Sequence, residues 1–416
     1  AAMIQRPRGT RDFGPEEMEK RRSLESRMRQ EAALFGFREV ATPIFEHTEL
    51  FTIKSGPNVV EEIYAFTDKG GRDISLRPEL TAPVMRFYVN ELTNYPRPLK
   101  MFYFGQCFRY ERPQSGRFRE FYQFGAELIG NPGPESDAEV IALAASIMRR
   151  VGLKDYHIRI GHIGVLRGPL ASSGVEGASA APILQKLDKK EYEEASARMA
   201  EADISAEEAE RIIEITKTSG PRDVLDKIQG EARDHLLEVF KILSYYGFNN
   251  VQVDLGVVRG LDYYTGMVFE MDAPVLGAEK QICGGGSYSL TELFGGERTF
   301  STGFGIGFDR TLLALEREGY QAPFHVIDAF VIPVTPSMKE EAFQIAAQLR
   351  REGVPTEIDL MGRSLSKNFK HAASLNARKV IIVGEKELAQ GAVAIRDMSS
   401  GDQRLVRKED LRSEFQ

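Results

Sequence analysis

The stretch FRYERPQSGRFREFYQFG, Phe108 to Gly125, decides how this chain is read. It sets Arg109, Arg112, Arg117 and Arg119 among Phe108, Tyr110, Phe118, Phe121 and Tyr122. The apolar run MFYFGQCF precedes it and AELIG follows, a strand–loop–strand pattern that predicts a β-hairpin whose loop is loaded with guanidinium groups. Guanidinium forks match phosphate oxygens in pairs, and aromatic faces match a flat base or another guanidinium plane. A solvated charged hairpin is the plain alternative. Against it, two arginines flank the short Pro-Gln-Ser-Gly turn, and the strands carry Glu111, Gln123 and Glu127. The hairpin reads as an element that holds a nucleotide.

Working outward, 416 residues are too many for one ordinary domain. At about 150 residues each, two to three domains are expected. A hydrophobic share of 42% supports a real core, and 28% charged residues gives a soluble surface. No apolar run approaches the ~20 residues of a membrane span. The opening AAMIQRPRGTRDFGPEE has no apolar run and does not read as a signal peptide. Cys107 and Cys283 lie far apart, so neither a disulfide framework nor a cysteine-based metal site is expected. The six histidines show no ligand spacing. Together these features point to a reducing, cytoplasmic setting. A net charge of -7 argues against non-specific binding of polyanions, yet leaves room for docking one structured RNA through local patches.

Helical spacing predicts a helix over residues 16–35, with Pro15 suited to its first turn and Gly36 ending it. FREVATPIFEHTELF then reads as a strand. Ser136 to Val151 reads as an amphipathic helix and YHIRIGHIG as a strand. Residues 166–245 hold few strand signals and are rich in Ala, Glu, Asp and Lys, as in EYEEASARMAEA; this segment reads as an acidic, helical insertion. Strand chemistry returns with NNVQVDLGVV and MVFEMDA, followed by a glycine-rich tract from Cys283 to Gly307 and a helix from Asp309 to Glu318. Beyond Pro323, strands alternate with helices and end in a hairpin around Ser399-Ser400-Gly401, which predicts a compact α/β domain with a mostly parallel sheet.

Three further clusters carry chemistry. In SLRPELTAPVMRF, Glu79 and Thr81 place two acceptors on one face of an extended segment, suited to an ammonium group; an ordinary helix start reads equally well. In VVRGLDYYTGMVFE, Arg259 and Asp262 sit beside Tyr263 and Tyr264, a pocket for a flat polar ligand or an exposed turn. In GGGSYSLTELFGG and STGFGIGFDRTLLAL, glycines at 284, 285, 286, 303, 305 and 307 permit close approach of backbone to a ligand. Neither GxxxxGK[ST] nor a strand-opening GxGxxG is present, so P-loop and Rossmann readings fail.

The set resembles the class II aminoacyl-tRNA synthetases, and in detail the histidyl-tRNA synthetase family. RGTRDFGPEE resembles that family's opening, LRPELTAP its amino-group segment and FRYERPQSGRFREFYQFGAELIG its motif 2. RGLDYYTGMVFE and GGGSYSLTELFGG resemble its two histidine-specific signatures, and GFGIGFDR its motif 3. The resemblance implies that Glu79, Thr81 and Gln123 hold the substrate's α-amino group, and that Arg109 binds the ATP α-phosphate. Glu111 and Phe121 would meet the adenine. Arg117 and Arg310 would hold the bent triphosphate, and Arg259 would add a cation at the reacting phosphate. Glu127, Tyr263 and Tyr264 would line the imidazole pocket, and Gln114 and Ser115 would face the tRNA acceptor end. Ser287 and Ser289 depart from the charged residues common in the second signature.

The fold so implied is an α+β catalytic core with an antiparallel β-sheet, in two parts (1–165 and 246–322). A helical insertion at 166–245 interrupts it, and an anticodon-binding α/β domain with a mixed sheet follows at 325–416. The implied function is a homodimeric histidine–tRNA ligase that uses L-histidine, ATP with Mg2+, and tRNA-His. The alternatives are a histidine-binding regulatory paralogue of ATP phosphoribosyltransferase, or a synthetase for glycine, proline or threonine.

Overall fold

The two strands flanking the arginine-rich loop pair antiparallel, Leu99–Phe108 with Glu120–Ile129, in a register that sets Gly105 against Gln123 and Phe108 against Glu120. The computed structural model describes residues 3–110, 117–257, 264–322 and 326–415. Among them the hairpin belongs to a sheet ordered Arg38–Glu39, Leu99–Phe108, Glu120–Ile129, Ser301–Gly307, Gln281–Tyr288, Tyr264–Asp272, His157–His162, Val251–Asp254 and Ser219–Gly220. The central strands are antiparallel, while Arg38–Glu39 pairs parallel with Leu99–Phe108 and Val251–Asp254 parallel with His157–His162. The glycine-rich strand Ser301–Gly307 is bonded directly to the hairpin's second strand. Two segments far apart in sequence therefore share one surface.

Helix Pro134–Val151 begins two residues before the expected start, with Pro134 in its first turn after an extended Gly133. It lies between the sheet and helix Glu231–Tyr245, and every residue from Val140 to Ala145 is shielded from solvent. Its exposed positions are polar, Glu135, Arg149 and Arg150, as an amphipathic helix requires. The expected strand at 37–51 is also corrected. It is two short strands in different sheets, Arg38–Glu39 and Phe45–His47, followed by helix Glu49–Ser55. Pro43, which has no N–H for a ladder, lies between the strands. Phe45–His47 joins Asp73–Leu76 and Ala65–Thr67 in a small antiparallel sheet.

Within 166–245 the chain is mainly helical: Ala181–Asp188, Tyr192–Glu201, Ala206–Lys217 and Glu231–Tyr245. Ser205 caps the third of these, its hydroxyl accepting from Glu208 N at 3.2 Å. These helices bury Leu184, Leu187, Met199 and Ile212 in the same apolar cluster as helix Pro134–Val151. The segment also supplies the edge strand Ser219–Gly220. No helix among the described residues is long and apolar enough to cross a membrane.

The chain divides into two units, one of Ala1–Gly14 and Lys20–Gln321 and one of Pro15–Glu19 and Ala322–Gln416. In the second, Thr356–Ile358, Ala329–Pro333 and Lys379–Val383 pair in parallel, and Ala392–Asp397 and Gln403–Arg407 add antiparallel strands. The sheet is mixed because the last two strands form a hairpin instead of a helical crossover. Period-two alternation sorts its side chains: Ala329 and Val331 pack on one face, Phe330 and Ile332 on the other. Between Ile358 and helix Leu365–Ser374, the Asp359 carboxylate accepts from Met361 N at 3.0 Å, Arg363 N at 2.7 Å and Asn368 Nδ2 at 3.1 Å. Asn368 is fully buried and also donates to Arg363 O at 3.0 Å. Asn368→Ala should therefore cost about 1–3 kcal/mol by leaving these acceptors short of a donor. Denaturant unfolding followed through the second unit checks this, and an unchanged midpoint would contradict it.

Candidate active site

Beside the hairpin an open cavity of about 500 Å³ lies over the sheet. Arg109, Arg117, Phe121 and Gln123 line it from the hairpin, Gly305, Gly307 and Arg310 from the glycine-rich strand and the helix that follows, and Glu279 from the loop before Gln281. Arg109 N donates to Arg119 O at 3.0 Å, which closes the base of the hairpin. Arg109 Nε donates to Pro78 O at 3.1 Å, and its guanidinium lies 5.0 Å from the centre of the Phe121 ring. Helix Phe308–Arg317 starts as the glycine-rich strand ends, which brings Arg310 to the rim. Arg117 Nη2 and Arg310 Nη1 share the Glu279 carboxylate, at 3.2 and 3.3 Å. The hydrogen bond from Arg310, with the charge of Arg117, holds that carboxyl below its ordinary range. Exposed pairs of this kind contribute up to about 1 kcal/mol, so a polyanion entering the cavity can displace Glu279 from both arginines.

The far wall is different. Arg159 is gripped by Asp254 at 2.6 Å, Glu270 at 2.6 Å and Asp272 at 2.9 Å. Removing a cation from such a partly buried set costs roughly 3–5 kcal/mol, because the carboxylates are left facing one another.

A second compartment lies deeper in the sheet. The Glu79 carboxylate accepts from Thr81 N at 2.7 Å and Ala82 N at 3.2 Å, capping helix Thr81–Phe87, and stands 3.1 Å from Lys54 Nζ. The segment is thus a helix start, and that geometry fixes the acid in place. Thr81 Oγ1 is 3.3 Å from Tyr103 Oη. Tyr103 Oη donates to Glu127 Oε1 at 2.8 Å, and Tyr288 Oη donates to the other oxygen of Glu127. Glu127 is 1% exposed. Burial pushes its carboxyl up to about 8, against the pull of the two tyrosine hydroxyls and Thr81. Gly303 lies opposite Glu127 in the ladder, and a Cβ there would stand 2.0 Å from Glu127 Oε2, so only glycine leaves room for the acid. Tyr264 faces Tyr288 across the neighbouring ladder, and burial raises its hydroxyl. Gln123, paired with both Gly105 and Gly307, reaches the cavity and lies 3.5 Å from Cys107 Sγ.

Of the residues singled out from sequence, Arg109, Arg117, Phe121, Gln123 and Arg310 meet in the cavity, and Glu79, Thr81, Glu127 and Tyr264 belong to the second compartment. Glu111, Gln114, Ser115, Arg259 and Tyr263 lie outside the described residues. The glycines need correction. Gly284, Gly305 and Gly307 line the cavity, but the space above Gly285, Gly286 and Gly303 is filled by the protein itself. Ser287, one of the departures from the family pattern, donates to Asp137 Oδ1 at 2.6 Å, and Asp137 also bonds His235 Nε2 at 2.6 Å. The other, Ser289, donates to Thr299 O at 3.2 Å.

Sequence reasoning missed Tyr103, Tyr288, Arg159 and Glu279. A lone arginine in the strand HIRIGH was a usable signal for Arg159. The tyrosines gave none, because their meeting at Glu127 depends on sheet register.

Between the ordinary carboxyl range near 4 and about 8, the folded chain holds a proton on Glu127 that the unfolded chain has released. This raised pKa makes stability fall as pH rises through that window. Glu127→Gln should remove this part of the fall, so that its melting temperature gains on the parent chain between pH 5 and pH 8.5. Parallel melting curves would contradict the assignment.

Comparison with known proteins shows the family. A family model described as histidyl-tRNA synthetase matches residues 9–311, and one described as anticodon binding domain matches residues 328–416. The chain is 45% identical to the histidine–tRNA ligase of Archaeoglobus fulgidus, covering 99% of this chain and 100% of that one. It is similar in structure to apo histidyl-tRNA synthetase of S. aureus, with a TM-score of 0.78 and 31% identity over 99% of this chain and 100% of that one. A Bacillus halodurans structure described as an ATP phosphoribosyltransferase regulatory subunit/histidyl-tRNA synthetase is similar at a TM-score of 0.78 and 26% identity, over 92% of this chain and 98% of that one. With a family match across most of its length and a full-length relative at 45% identity, the chain belongs to the histidyl-tRNA synthetase family.

Proposed function

We propose that the chain is a histidine–tRNA ligase in which the cavity takes ATP and the compartment around Glu127 takes L-histidine. The observation that carries this reading is the junction of two chemically opposite sites on one sheet. One is open and lined by Arg109, Arg117 and Arg310; the other is closed around a buried carboxylate and two tyrosine hydroxyls. Gln123 stands between them, facing the cavity from the same strand that carries Glu127.

Adenylation needs no protein nucleophile. The carboxylate of histidine attacks the α-phosphorus, and pyrophosphate leaves in line. What the protein supplies is position and neutralising charge. Arg109 would meet the α-phosphate, with Arg259 adding a second cation at the same centre. Phe121 would stack under the adenine while Glu111 bonds its edge. Arg117 and Arg310 would take the triphosphate in place of Glu279. On the amino-acid side, Glu79, Thr81 and Gln123 would hold the ammonium group, and Glu127 with Tyr263 and Tyr264 would enclose the imidazole. A site that hydrogen-bonds both ring nitrogens rejects analogues lacking them. Among the described residues no group of three or more His, Cys, Asp or Glu side chains could hold a metal ion. Mg2+ is proposed to enter with ATP, neutralising its phosphate charge.

The activated histidine would pass to the 3′ end of tRNA-His, whose anticodon the second unit would read. A homodimer and a cytoplasmic location are part of the proposal. The regulatory paralogue is disfavoured because this chain keeps the cavity arginines and the anticodon-binding domain.

Exchange of pyrophosphate into ATP should depend on histidine and on no other amino acid. Arg109→Ala and Arg259→Ala should each reduce that exchange about 10²–10³-fold, as expected when one charge-stabilising group is lost. Absence of histidine-dependent exchange would refute the ligase reading, and full activity in both variants would refute the assigned arginine roles.

A further inference from the structure

The segment before the first helix lies against the hairpin, and no role assigned so far involves it. Gly9 O accepts from Arg119 N at 2.9 Å, so the segment adds a backbone bond to the hairpin's returning arm. Gly9 has φ +84, and a Cβ there would stand 2.8 Å from Arg119 Cγ. Two residues on, the Arg11 guanidinium lies 3.5 Å from the centre of the Phe118 ring. Its Nη2 meets Asp309 Oδ1 at 2.8 Å. Asp309 also takes Arg21 Nη1 at 2.9 Å and Tyr122 N at 2.7 Å.

These contacts converge on the residues that flank the anion-binding arginines. Phe118 follows Arg117, Tyr122 follows Phe121, and Asp309 precedes Arg310. One guanidinium is therefore stacked on the hairpin arm and ion-paired to the start of the helix that carries Arg310. Asp309 is only 8% exposed and its charge is taken up by Arg11 and Arg21. It is therefore engaged elsewhere than with the neighbouring Arg310, which pairs with the exposed Glu279.

We propose that Arg11 is a positioning residue for ATP: it clamps the hairpin to the Arg310 helix, so that Arg117, Phe121 and Arg310 present one preset surface to the nucleotide. Small misplacements of binding groups are costly in such a site, whereas a purely structural strut would affect both substrates alike. Arg21 remains to neutralise Asp309 when Arg11 is removed, so the chain should still fold. The proposal rests on the cavity being the ATP site.

Exchange kinetics on the full-length chain test it, with ATP varied at saturating histidine and histidine varied at saturating ATP. Arg11→Ala should raise the KM for ATP about tenfold and leave the KM for histidine within twofold. Arg11→Lys, which keeps a charge beside Asp309 but loses the flat contact with Phe118, should raise the KM for ATP about threefold and provides the same readout if Arg11→Ala does not fold. Unchanged ATP dependence in the variants, or equal rises for both substrates, would overturn the proposal. Arg310→Ala, run in parallel, separates the two levels. If it raises the KM for ATP while the Arg11 variants do not, only the clamp is wrong. If it too leaves the KM for ATP unchanged, the ATP-site reading is wrong and the clamp fails with it.

Discussion

A carboxylate buried between strands is the constraint to which much of this sheet is fitted. Glu127 is out of water, and an ionised acid in such a place is held only by donors brought to it. Tyr103 from the preceding strand and Tyr288 from a strand far along the chain supply them. Register makes the meeting possible: Glu127 lies opposite Gly303, the one residue type that leaves its oxygens free. A slip of one residue would turn every side chain of that strand to the other face. The donors leave the acid still raised to about 8, a cost to stability at neutral pH that a purely structural core would avoid by burying an apolar residue.

The cavity beside it follows the opposite logic. Arg117 and Arg310 are held there by weak, exposed contacts to Glu279, contacts that a phosphate could replace. What is rigid lies behind them: the Pro78 carbonyl under Arg109, the Asp309 cluster beside Arg310, and Arg159 locked by three carboxylates at the far wall. Exchangeable groups on fixed supports would suit the ATP site proposed for this cavity.

The hairpin was legible in sequence because aromatic and arginine residues alternate about a turn, and the second unit because strands and helices alternate in the pattern of an α/β layer. The order of the large sheet was not legible. Nothing local in Ser301–Gly307 says that it pairs with Glu120–Ile129, and Tyr103 is one apolar-strand residue among several until that order is known. Element boundaries erred for specific reasons. Pro134 extended one helix to an earlier first turn, and Thr42-Pro43 divided a run that looked like one strand. The glycine-rich tract was read as room for a ligand, yet half of that room serves the protein's own atoms, with Gly303 the clearest case.

The central claim, that Glu127 is the acceptor which selects histidine, is tested most directly by the substrate constants of Glu127→Gln in pyrophosphate exchange. Losing the carboxyl group's hydrogen bond to the ring should raise the KM for histidine about tenfold, with the KM for ATP within twofold of the parent. An unchanged KM for histidine in a folded Glu127→Gln chain would contradict it.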